Sequence, residues 1–252
     1  MKITFKKPLW FTVVIALCFS IITLFASTEC KKSEKNYKAK TVTKIKAKVE
    51  NASKNVNIVE VKLMVYDFGI DNYVELARSD WKDGGFTIEL PKKLEPNCLH
   101  LTGYNRGILE PVADPSLNMT ISNQNVKAGT AHFWGVDKDG NLVTQFYPFK
   151  IDEDGSVNEV FYSFIDSDVT ISGSNEKEVI MSMRDSEKKT DILGKTKVTD
   201  IYSVKLKKGW NVWWFSGYSS VSERIIINKW STAPFSNMKW YSFEDRHQLK
   251  IN

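Results

Sequence analysis

The residues with the sharpest chemical option are tryptophans. Trp210, Trp213, Trp214, Trp230 and Trp240 fall close together, with Tyr218 and Tyr241 among them. Side chains alternate between the faces of a strand. Trp210, Val212 and Trp214 therefore share one face, and Asn211, Trp213 and Phe215 share the other. Exposed aromatic platforms stack on the C–H faces of sugars, and Asn211 stands ready to hydrogen-bond hydroxyls. Trp210, Asn211, Trp213 and Trp230 are thus the candidate ligand-binding residues. The competing use is a large β core, which the wide apolar area of tryptophan suits. If one face is core, the other either exposes Trp213 and Phe215 or is covered by a second layer.

Cys30 is the second residue with chemistry. Lys2, Lys6 and Lys7 precede an uncharged apolar run from Leu9 to Ala26, the layout of an export signal. A cysteine closing such a run is where a bacterial lipoprotein is cut and acylated, since a thiol at the new N-terminus takes the lipid. Acyl chains contribute about 0.8 kcal/mol per buried methylene, so several hold a domain on a membrane. Cys30 is therefore the candidate lipidation site. Glu29 stands where a small residue is usual, and a cut after Thr28, with Ala26 at the −3 position, would instead release a free secreted protein. Cys98 sits among apolar residues and reads as a buried small hydrophobe.

Other constellations fail on spacing. His100, His132 and His247 stand apart, with no His-x-His, His-Glu-x-x-His or Cys-x-x-Cys, so no metal is expected. Gly217-Tyr218-Ser219-Ser220-Val221 lacks the last glycine of a nucleophile elbow. Asp137-Lys138-Asp139-Gly140-Asn141 begins like a calcium loop, but Leu142 and Pro148 occupy its sixth and twelfth positions. Asp152-Glu153-Asp154-Gly155 is a second acidic turn. Both read as hairpin turns. No cofactor and no enzymatic activity are expected.

The elements that must position these residues are strands. Ile45, Ala47 and Val49 alternate with lysines, the period of a half-buried strand. Val59 to Val65, Phe86 to Leu90 and Leu117 to Ile121 repeat the pattern. Further strands are predicted over 130–136, 142–149, 158–165, 168–172, 200–206, 210–216, 223–228 and 238–243. Asp83-Gly84-Gly85, Asp139-Gly140-Asn141, Asp154-Gly155-Ser156 and Lys207-Lys208-Gly209 mark turns. Residues 173–200 are polar and charged and read as a long mobile loop or hairpin. No twelve-residue window carries a helical period without a breaker. The fold class is all-β, an antiparallel sandwich or barrel with two β subdomains. The organisation is a signal peptide over 1–29, a basic tether over 30–40, a β-sandwich part over 41–123 and an aromatic-rich β part over 124–252.

Charge is uneven along the 252 residues. The net +5 resolves into +2 over residues 1–29, +7 over 31–54 and −4 over 55–252. The acidic body argues against nucleic acid as partner. A mean hydropathy of −0.31 excludes a polytopic membrane protein. Three cysteines exclude a disulfide-framework miniprotein.

Several motifs line up in order: Gly84-Gly85-Phe86-Thr87-Ile88-Glu89-Leu90-Pro91, Asp168-Val169-Thr170-Ile171-Ser172-Gly173, Leu206-Lys207-Lys208-Gly209-Trp210-Asn211 and Met238-Lys239-Trp240-Tyr241. Over most of 41–243 this pattern resembles a group of lipid-anchored proteins exported by Bacteroidetes-type bacteria. The resemblance implies an all-β body in the cell envelope, carries no activity and transfers no catalytic residues. The expectation is a lipid-anchored protein of the outer membrane, facing the periplasm or the surface, with a structural, adhesive or binding role. Its expected partners are the membrane, through the lipid, and a glycan or envelope protein. The alternative is a carbohydrate-binding accessory lipoprotein using the tryptophans.

Overall fold

The computed structural model describes residues 41–101, 118–185, 190–233, 237–243 and 245, apart from residue 56. The expected signal peptide, Cys30, the tether over 30–40 and His247 lie outside these residues. The described residues all fall in one unit. Strands run through it in the order β1 (Lys44–Lys48), β2 (Ile58–Asp67), β3 (Asn72–Asp80), β4 (Gly85–Glu89), β5 (His100–Leu101), β6 (Asn118–Ile121), β7 (Lys127–Thr130) and β8 (His132–Asp137). They continue with β9 (Leu142–Ile151), β10 (Val157–Ile165), β11 (Val169–Asp185), β12 (Thr190–Leu206), β13 (Gly209–Ser220), β14 (Ile225–Ser231) and β15 (Lys239–Ser242). Two three-residue 3-10 turns, Ala52–Lys54 and Pro96–Cys98, interrupt them. The fold is all-β, with two sheets that do not close into a barrel, consistent with a sandwich.

The lysine-alternating segment forms β1 and pairs antiparallel with β4, Ile45 opposite Ile88 and Ala47 opposite Phe86. Its lysines face water while Ile45 and Ala47 are buried. The larger sheet has the path β3-β2-β8-β9-β10-β13-β14-β12-β11-β6, with β15 on β9 and β7 on β10. Its pairs are antiparallel except β12 with β14, which run parallel. Asp-Gly between strands folds as expected. Asp83 and Gly84 have φ of 52° and 71°, the two positive values that a tight I′ hairpin demands. Asp137 turns its own loop: Oδ1 accepts the N–H groups of Asp139 and Asn141, each at 2.9 Å.

The boundary expected at 123/124 does not coincide with a break in pairing. β2 joins β8, and β6 joins β11. The division that does exist is between two cores. The first gathers Ile45, Val61, Leu63, Phe86, Ile88, Phe133, Phe146, Phe164, Trp210 and Trp240. The second gathers Val126, Ile165, Val169, Ile171, Val204, Leu206, Trp213 and Trp230. β10 and β13 pair over nine register positions and contribute to both cores. On β10, Phe164 belongs to the first core and Ile165 to the second; on β13 the same holds for Trp210 and Trp213. This strand pair is a wall with a hydrophobic core on each side.

The first described residues pair with β13 and β15, far along the chain. Thr41 bridges Asn211, and Val49 bridges Trp240. The Val42 N–H donates to the Trp210 carbonyl at 2.9 Å, and the Glu50 N–H donates to that of Trp240 at 2.8 Å.

Candidate functional site

The four candidate ligand-binding residues are all inside. Trp210, Asn211, Trp213 and Trp230 are 3%, 1%, 3% and 7% exposed. The expectation of an aromatic platform is corrected here, and the physical reason is the two-sided wall: both faces of β13 are covered. Trp210 donates its Nε1–H to the Pro91 carbonyl at 2.7 Å and meets Phe164 edge-on. Trp213 donates to Ser163 Oγ at 3.1 Å and stacks on Phe161, centroids 4.4 Å apart. Trp230 stacks on Tyr202 at 4.5 Å. Asn211 stitches the turn before β13. Its Oδ1 accepts the Lys207 N–H at 2.9 Å, and its Nδ2 donates to the carbonyls of Lys207 and Gly209 at 2.6 and 2.7 Å. With both ends so used, Asn211 has no group turned to solvent. Cys98 is buried as expected, and burial pushes its thiol pKa up.

Three other features carry polar or exposed chemistry. The first is a cleft of about 250 Å³ between the Ala52–Lys54 turn, the start of β9 and the end of β15. Asp245 lies at its wall, 4% exposed. Its Oδ1 accepts from Lys54 Nζ at 2.8 Å and its Oδ2 from Ser242 Oγ at 3.1 Å. Ser242 Oγ in turn accepts the Asp245 N–H at 3.3 Å, the Ser-x-x-acid geometry of a helix start. Asn55 Nδ2 is buried and, among the described residues, has no hydrogen-bond partner. Ile58 and Val143 supply apolar wall. Three stretches far apart in sequence make this cleft, so residue spacing could not reveal it. The one local signal was Ser242-Phe243-Glu244-Asp245.

The second feature is a fork in the sheet. β9 pairs with β8 over Leu142–Phe146 and with β10 over Phe149–Ile151. β15 takes the opposite edge. Pro148, which has no N–H to offer, sits where the neighbour changes. The wedge between β8 and β10 holds about 60 Å³ and is lined by His132, Gln145, Tyr147, Glu159 and Tyr162. Gln145 Nε2 contacts His132 Nδ1 at 2.8 Å, and the Tyr147 hydroxyl donates to Gln145 Oε1. Burial lowers the His132 pKa to about 4 and raises that of Tyr162 to about 12. The imidazole is therefore neutral, with Nδ1 accepting from the amide.

The third feature is an arm. The polar stretch over 173–200 falls within two strands of 17 residues each, β11 and β12, which pair antiparallel from Val169 opposite Leu206 to Asp185 opposite Thr190. β14 accompanies β12 no further out than Lys197, and β6 accompanies β11 no further than Ser174. From Val179 opposite Thr196 to Asp185 opposite Thr190, these strands pair with each other alone among the described residues. Seven such pairs extend about 24 Å. A lone two-stranded ribbon is marginal in water. Its exposed ion pairs, Lys195 with Glu178 and Lys197 with Glu176, contribute little. Arg224 supplies a stronger tie. From the β13–β14 turn its guanidinium donates to the Met181 carbonyl at 2.9 Å, to that of Lys195 at 3.2 Å and to that of Gly194. Ile180 and Leu193 are 73% and 71% exposed. They lie diagonally across the two strands on one face, within reach of each other.

Compared with known proteins, the chain matches no family model, no curated protein and no solved structure. No group of three or more His, Cys, Asp or Glu is placed to hold a metal ion among the described residues. No helix among them is long and apolar enough to cross a membrane.

Proposed function

We propose that this is an exported, lipid-anchored protein of a bacterial cell envelope that acts by binding and not by catalysis. The export layout and Cys30 support the address. The observation that carries the binding role is the β11–β12 arm, which holds two large apolar side chains away from both cores. Burying one such side chain on a partner contributes about 1.5–3 kcal/mol, which gives the arm a reason to keep them in water when alone. A single carboxylate lines the cleft among the described residues, whereas glycoside hydrolysis by paired acids uses two. That composition favours binding over hydrolysis there.

Two measurements test the reading. Palmitate labelling of wild type and Cys30→Ala is expected to mark wild type alone; label in neither ends the anchor. A photoreactive side chain placed at position 180 or 193 is expected to give a higher-mass protein adduct in intact cells. The same group at position 142, exposed but remote in the sheet path, serves as control. Equal adducts from all three positions, or none, refute the arm as the binding element.

A further inference from the structure

We infer that the cleft between the Ala52–Lys54 turn, the start of β9 and the end of β15 binds a small, neutral, hydroxyl-rich molecule the size of one sugar ring. The inference is independent of the anchor and of the arm. Size comes first. A volume of about 250 Å³ lies just below the range of sites for drug-sized ligands, and it equals the liquid volume of about eight waters. That is room for one ring within the cleft.

Charge comes second. Lys54 and Asp245 neutralise each other across 2.8 Å, so the cleft presents no net charge. A ligand anion meets the Asp245 carboxylate, and a ligand cation meets the Lys54 ammonium. A neutral molecule meets neither penalty.

Hydrogen bonding comes third. An ionised carboxylate offers about four acceptor positions, and the described partners of Asp245 take one on each oxygen. Asn55 Nδ2 is a buried donor without a partner among the described residues, an expensive state unless something fills it. The site therefore asks for a donor toward Asp245 and, once the Asn55 amide turns from its buried position into the cleft that Asn55 lines, for an acceptor toward Asn55. A hydroxyl is both at once, and neighbouring hydroxyls on one ring meet both demands. Asn55 and Asp245 come from different elements, so neither is a local turn device serving the other.

Apolar contact comes fourth. Val143 is 42% exposed at the cleft wall, and Ile58 is 6% exposed beneath it. An aliphatic wall beside polar groups matches a ring with a C–H face and a hydroxyl rim.

The test is saturation-transfer NMR on the full chain in a non-glycosidic detergent. The probes are the methyl glycosides of glucose, galactose, mannose and N-acetylglucosamine. At least one is expected to receive transfer on its ring protons. Val143→Arg fills the mouth from an exposed position and is expected to abolish it. Asp245→Asn keeps the shape, removes the charge and is expected to weaken binding by about tenfold, the worth of one hydrogen bond to a charged group. Transfer to none of the four probes overturns the inference. So does transfer that survives Val143→Arg in a protein whose tryptophan fluorescence matches wild type, and that arm holds even if Asp245→Asn fails to fold.

Discussion

Acidification from about pH 7.5 to about pH 5 is expected to cost the fold about 2 kcal/mol through His132 alone. Burial in the sheet fork lowers this imidazole from 6.5 to about 4. The unfolded chain takes up the proton near 6.5, and the folded chain does so near 4. Between those values the unfolded state holds more protons, so stability falls as pH falls. The contribution is whole above pH 6.5 and is gone by about pH 4, where it totals about 3 kcal/mol. Burial is the cause of the shift, and the Tyr147–Gln145–His132 chain leaves a second ring proton without an acceptor in the fork. A second ring N–H would point at the Gln145 amide N–H group. Turning the amide over would then set its N–H group against the Tyr147 hydroxyl, which now donates to Gln145 Oε1. The assay is urea unfolding followed by tryptophan fluorescence at both pH values, in wild type and His132→Gln. Other groups titrate in both proteins, so the difference between the two pH dependences isolates His132. Identical pH dependences would refute the reasoning, as would an NMR titration placing the His132 midpoint near 6.5.

Trp213→Ala is expected to destabilise by about 3–5 kcal/mol, the cost of emptying a core aromatic site, measured as a fall in the urea midpoint. An unchanged midpoint would mean that Trp213 sits at the surface after all. Gly173 has φ of 125°, and a Cβ there would run into the Asn118 carbonyl. Gly173→Ala is expected to detach β6 from β11, seen as faster amide exchange over 118–121, and exchange at the wild-type rate would contradict it. Arg224→Ala is expected to speed amide exchange over 179–181 and 193–196 while leaving both cores protected. Arg224→Lys should not restore the rate, because one ammonium cannot span three carbonyls in the guanidinium's planar geometry.

Alternation made most strands readable, because a sheet with one wet face writes its burial into every second residue. Lys44 to Lys48 is the plainest case, lysines out and Ile45 and Ala47 in. Asp83-Gly84 gave its turn for an equally local reason, the cost of positive φ for other residues. β3 escaped the same reading. Asn72–Asp80 lies at the sheet edge with no buried residue along it, so nothing forces an apolar period, and its register on β2 slips between Leu63 and Met64. The tryptophans were visible as a cluster, and their faces were assigned correctly by parity. What parity cannot report is whether the second face is covered, and that depends on β11, β12 and β14 folding over it. The hairpin over 173–200 was one of two options until the register of β11 on β12 decided it. The cleft was beyond reach, since Asn55, Thr144 and Asp245 become neighbours through tertiary packing alone.

The bridges from Thr41 to Asn211 and from Val49 to Trp240 also set an order of events. A ribosome delivers residues from the N-terminus onward, so β1 is made long before its neighbours at the far end of the chain exist. Trp240 packs on Phe86 and Phe133 in the first core, and that core stays open until Trp240 has emerged. Pairings this distant in sequence form slowly. A polypeptide wired in this way cannot complete its first core until its last strand arrives, whereas the second core draws on neither β1 nor β15 and can close earlier.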